Sequence, residues 1–109
     1  MAMNDPNKAI DFIIKHGAEF AKAKSDRVYL ELYRKTKKAQ LMLECESKTV
    51  AEKEAYAYAH PKMIELIGQL RDAVDKEEAL KALIDAAKLR TEIWRTEQAN
   101  NRGQDRALR

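Results

Sequence analysis

Apolar side chains return every three or four positions along most of the chain, the spacing of one face of an amphipathic α-helix. In the second half they fall at Met63, Ile67, Leu70, Val74, Leu80, Ile84 and Ala87, within a stretch from Pro61 to Asn100 that holds one glycine, Gly68, and no further proline. A helix of that span would be roughly 60 Å long at 1.5 Å per residue, more than a compact globule of this size can cover. It therefore requires a partner helix. The first half supplies one: from Ala18 until Pro61 there is neither proline nor glycine, and Phe20, Ala23, Val28, Leu30, Leu32, Tyr33, Leu41, Met42 and Cys45 carry the apolar positions.

Local chemistry sets the expected boundaries. Asp5 followed by Pro6 is a helix start, with a carboxylate free to accept an orphan amide hydrogen and proline where its missing donor does no harm. Ala9, Ile10, Phe12, Ile13 and Ile14 then form a short N-terminal helix within 1–17, expected to end near His16 and Gly17 because glycine is common just past a helix terminus. Helix propensity falls around Ser47 to Thr49, and Thr49 with Glu52 three residues on matches a capping box. His60 precedes Pro61 and is pushed out of the helical region. The reversal of a long antiparallel helical hairpin, 18–100, is therefore expected between 47 and 61, at 47–49 or at 60–61. The tail, 101–109, has no apolar periodicity and is expected to be flexible and basic. Nothing alternates as a strand would and no internal repeat is present, so the fold class is all-α and coiled-coil-like.

Composition adds an expectation about assembly. Much of the hydrophobic share of 45% is alanine, and two Phe, one Trp and four Tyr cannot fill a thick core. Thin helical layers that join other copies are the simpler solution, so a homo-oligomer is expected. Cys45 is the single cysteine. A lone thiol is ordinary in a reducing cytosol, although its role is not evident. No run approaches the roughly twenty apolar residues that cross a bilayer, and the first residues lack the basic-then-apolar order of a signal peptide. A cytoplasmic protein with no membrane role is expected.

Net charge of +3 conceals a pattern. Residues 1–38 hold nine Lys or Arg against five Asp or Glu, residues 39–79 five against nine, and residues 80–109 seven against four. Folding back once would gather the basic ends at one pole, able to face a polyanion or to stack head to tail on another copy. The densest basic cluster is Arg34, Lys35, Lys37 and Lys38. On a continuous helix Lys24, Arg27, Arg34 and Lys38 share a stripe, and Tyr29 and Tyr33, four apart, make an aromatic pair. Cations beside aromatic rings suit single-stranded nucleic acid, with charge following phosphates and rings stacking on bases. The same residues also read as a solvated face and a core edge. Near the end, Lys88, Arg90, Arg95 and Arg102 surround Trp94, which keeps step with Leu80, Ile84 and Ala87 and so fits a helix interface better than base stacking.

Catalysis is not expected. His16 and His60 are far apart, Cys45 has no evident base, and neither metal-ligand spacing nor a glycine-rich nucleotide loop occurs, so no metal or cofactor is expected. Acidic groups such as Asp75, Glu77 and Glu78 read as solvated helix charge.

The order of parts is a basic-aromatic helix from Tyr29 to Ala39, an extension ending Ala-Tyr-Ala-Tyr-Ala-His-Pro at Pro61, and a long helix closing on Ile93, Trp94 and Arg95. It resembles small helical proteins encoded in the early regions of tailed phages and prophages and, more loosely over residues 20–100, the small recombination mediator family of T-even phages. That resemblance implies an oligomeric helical protein that binds single-stranded DNA and helps load a recombinase onto strand coated with single-strand-binding protein. Lys24, Arg27, Arg34, Lys35, Lys37 and Lys38 would then neutralise phosphates, with Arg90 and Arg95 supporting and Tyr29 and Tyr33 stacking. The alternative from another class is a coiled-coil adaptor or inhibitor of a host or phage protein. The residues do not choose between DNA, RNA and protein partners.

Overall fold

The computed structural model describes residues 5–108, and its regular structure is entirely helical. The elements are α1 (Pro6–Glu44), α2 (Val50–Ala59) and α3 (Pro61–Leu108). Together they make an all-α fold.

The helix starts follow the local sequence. Asp5 Oδ1 accepts the Asn7 amide hydrogen at 2.9 Å and its carbonyl takes the Ala9 amide at 3.2 Å, with Pro6 opening α1. Thr49 is extended (φ −96°, ψ 142°), and its hydroxyl accepts from the Glu52 amide at 3.2 Å, which starts α2. The capping box is only half formed, because the Glu52 carboxylate takes the Ser47 hydroxyl instead. His60 is extended (φ −66°, ψ 135°) as the residue before a proline must be, and α3 begins at Pro61. Both expected breaks are therefore present, with the ten-residue α2 between them.

Two expected boundaries are absent. α1 does not stop at Gly17 to leave a separate short helix, and α3 continues through Gly103 to Leu108 where a flexible tail was expected. No glycine has positive φ, so none acts as a terminator. An interior glycine costs a helix about 1 kcal/mol relative to alanine. Burial of Ala9 and Ala23 and half-burial of Phe20 on either side of Gly17 offset that cost. At the far end, Arg106 lies in the last turn, where a cation suits the helix dipole.

The chain divides into two compact units. One takes the chain up to Ala21 together with the chain from Glu78 onward, and the other is Lys22–Glu77. In the second, Arg27 meets Glu77 while Leu41 packs with Met63, so α1 and α3 run antiparallel. Leu41, Ala57 and Met63 form its buried cluster with Met42 alongside, and α2 supplies the alanine small enough to close that corner.

Burial on α3 follows a seven-residue repeat: Met63, Leu66, Leu70, Ala73, Glu77, Leu80, Ile84, Ala87, Thr91 and Trp94 are its buried or half-buried positions. On α1, Ile13, His16, Phe20, Ala23, Arg27, Leu30, Lys37 and Leu41 follow the same repeat, and Arg34 occupies its one exposed position. These are the a and d positions of a coiled-coil seam. The pattern corrects the sequence reading of α3 in one respect, since Ile67 and Val74 lie beside the seam, 43% and 36% exposed, whereas Leu66 and Glu77 lie in it. Three-and-four spacing alone does not distinguish these neighbouring rows.

Candidate nucleic-acid interface

The expected cationic stripe does not survive as one face. Arg27 faces into the seam, where its Nη2 donates to Glu77 Oε1 at 3.1 Å and its Nε to Glu77 Oε2. Its Nη1 donates to both carboxylate oxygens of Glu31, at 3.0 and 3.1 Å. The hydrogen bonds to Glu77, then to Glu31, hold the guanidinium pKa above its ordinary value. Two carboxylates already engage all three guanidinium nitrogens of Arg27 and offset its charge, which removes it from the set of phosphate contacts. Glu77, read from sequence as solvated, is only 6% exposed. The signal that would have found it is its place between Leu70 and Ile84 at seven-residue spacing.

Lys38 is also engaged. Its Nζ lies 3.4 Å from Glu54 Oε1 and 5.0 Å from the centroid of the Tyr58 ring, so it ties α1 to α2. Tyr58 first, then the charge of Glu54, raises its pKa.

Tyr29 and Tyr33 stack nearly parallel, with centroids 6.0 Å apart and planes 8° apart, and Tyr29 is 64% exposed. Lys37 Nζ sits 5.7 Å from the Tyr33 centroid. One turn of helix separates each member from the next, so the three form a ladder along one flank of α1. Arg34, exposed and three residues before Lys37, adjoins that ladder. Arg34 also lines a groove on the other flank with Val28, Glu31, Leu32, Lys35 and Leu70. Lys24, exposed, is a multiple of helical turns from Val28 and Lys35 and belongs to that second flank. Neither Lys24, Arg34 nor Lys35 has an ion pair among the described residues. The sequence-predicted cations are thus split: Lys37 stands with the tyrosines, Lys24 and Lys35 lie on the other side of α1, and Arg34 borders both.

Arg90 and Arg95 belong to the other unit. There Arg90 borders an open groove of about 430 Å³ with Asp5, Lys8, Ala9, Phe12, Leu83, Ala86 and Ala87, while Arg95 is exposed. Trp94 is half-buried in the seam, in keeping with an interface role. Cys45, half-buried, follows α1 with its amide donating to the Met42 carbonyl at 3.2 Å. Among the described residues, no cluster of His, Cys, Asp and Glu could hold a metal ion, and no helix is long and apolar enough to cross a membrane. Comparison with family models, with curated proteins and with solved structures returns no match.

Proposed function

We propose that this protein is a non-enzymatic helical accessory factor of phage DNA recombination or replication, acting in the host cytoplasm by binding single-stranded DNA. The observation that carries the reading is the parallel Tyr29–Tyr33 stack, its Tyr29 ring exposed and its Tyr33 ring half-buried, with Lys37 beside it. Rings presented in this way accept unpaired bases, which duplex DNA keeps stacked internally, and Lys37 and Arg34 supply charge for the phosphates. The phosphate set is narrower than the sequence implied: Arg27 is committed to Glu77 and Glu31, and Lys38 to Glu54. A recombinase or single-strand-binding protein remains the partner implied by the family resemblance. Titration of a labelled single-stranded oligonucleotide and of its duplex, followed by fluorescence anisotropy at low and moderate salt, tests the reading. Strand-selective binding that weakens steeply with salt supports it. Equal or absent binding to both rejects it.

The adaptor reading is favoured by a different observation, the apolar side chains that the hairpin leaves outside its seam, including Val28, Leu32, Ile67 and Val74. A protein partner captured after nuclease treatment, with no affinity for oligonucleotides, would decide for it.

A further inference from the structure

The row beside the α3 seam changes character along the helix. At the positions following each d residue it reads Ile67, Val74, Lys81, Lys88 and Arg95, apolar inside Lys22–Glu77 and basic beyond it. A helix with apolar a and d positions needs one neighbour, whereas apolar residues at a, d and e make a wider stripe that faces a bundle. Inside Lys22–Glu77 the wider stripe has nothing on its outer side: Ile67 is 43% and Val74 36% exposed. Val28 and Leu32 of α1 are 39% and 60% exposed and line the groove that Leu70 shares with them. The strip is continuous with the seam, because Leu70 belongs to both.

We propose that the strip of Val28, Leu32, Ile67, Leu70 and Val74 is a self-association surface, on which two copies of the chain pack strip to strip and join their hairpins into a four-helix layer. The charges around it favour a second copy over a polyanion. Residues 22–44 carry seven cations against three anions, and residues 45–77 five against seven, so each copy offers a basic helix and a more acidic remainder to its mate. At the rim itself both signs occur, Glu31 and Lys35 on α1 and Arg71 and Asp75 on α3. A surface carrying both signs is complementary to itself in an isologous contact. The protomer also has reason to pair, since Leu41 and Met63 are its only large fully buried side chains among the described residues. The inference does not depend on nucleic-acid binding.

Analytical ultracentrifugation of the full chain across a micromolar concentration series, at low and moderate salt, tests it. A reversible dimer that persists at moderate salt is expected, because its contact is mainly apolar. Leu32→Glu and Val74→Glu, each at a position already exposed in the protomer, should weaken dimerisation by at least about tenfold and leave the helical circular dichroism unchanged. Ile14→Glu, in the other unit, should leave it unaltered. Hydrogen exchange of the wild type, dilute against concentrated, should show added protection along α1 near Leu32 and α3 near Val74, which reads the contact without a variant. A monomer throughout, a dimer indifferent to both strip variants, or a dimer lost only with Ile14→Glu would overturn the proposal. Capture of a different protein on the strip of a monomeric chain would overturn it as well.

Discussion

Arg27 and Glu77, fifty residues apart in sequence, meet inside the seam between α1 and α3, the arginine giving two hydrogen bonds to the one carboxylate. An ion pair at facing core positions contributes less to stability than well-packed apolar residues would, yet removing one member leaves a charge without its mate. Its other effect is on alignment, since sliding either helix by one turn would set both charges against apolar neighbours. Glu77→Ala should lower the melting temperature by roughly 5–10 °C. The double change Arg27→Met with Glu77→Leu should recover most of that loss in thermal melts followed by circular dichroism.

Lys38 gives a pH signature. Its raised pKa means the folded protein holds the proton more tightly than the unfolded chain. The contribution is thus complete below the ordinary lysine pKa of 10.5 and fades as pH rises above it through the folded value. Thermal melts of wild type and Lys38→Gln should differ by a constant gap from neutral pH into the mildly alkaline range. The gap should close at higher pH, whereas a gap independent of pH would show that the ammonium makes no net contribution.

Met63, with none of its surface exposed, packs on Leu41 and Ala57 where the three helices meet. Met63→Ala should cost about 2–4 kcal/mol in urea unfolding, through lost burial and the cavity left behind. Leu43→Ala, two residues from Leu41 but 85% exposed, should stay within about 0.5 kcal/mol of wild type.

Gly17 is helical, its φ is ordinary, and nothing lies within 4 Å of where a Cβ would stand. Gly17→Ala should therefore raise stability by about 1 kcal/mol. If α1 were broken at this point the change would be neutral or destabilising, so the sign of the shift in urea midpoint reports on the continuity of the helix.

For the proposed strand-binding face, Tyr29→Ala should weaken single-strand affinity more than Arg27→Lys does. Each base–aromatic stack contributes roughly 1–3 kcal/mol, whereas Arg27 is already neutralised by two carboxylates. Lys37→Ala should also reduce the salt dependence. Anisotropy titrations at two salt concentrations measure both quantities.

The features legible in the sequence were those set by near neighbours. Asp5 before Pro6, Thr49 three residues before Glu52, and His60 before Pro61 each fix a backbone conformation through contacts within a turn, and each stands where its chemistry requires. Gly17 does not end α1 because propensity concerns an isolated helix, and α1 instead gains from the burial of Ala9 and Ala23. The cationic stripe was misread for a related reason. Lys24, Arg27, Arg34 and Lys38 do follow helical spacing, but spacing does not say which side of the helix another chain segment covers. Arg27 and Glu77 each sit where a hydrophobic residue would be expected from the repeat, and only the pair of them together, across two helices, accounts for either.

The single tryptophan and the four tyrosines are distributed by unit: Trp94 lies in one, while Tyr29, Tyr33, Tyr56 and Tyr58 all lie in the other. Red-edge excitation therefore reports on the first unit, and tyrosine emission on the second, without any added dye. Whether the molecule melts as one cooperative body or loses its ends separately can be read from a single denaturation series of the unmodified chain, by whether the two optical signals change together.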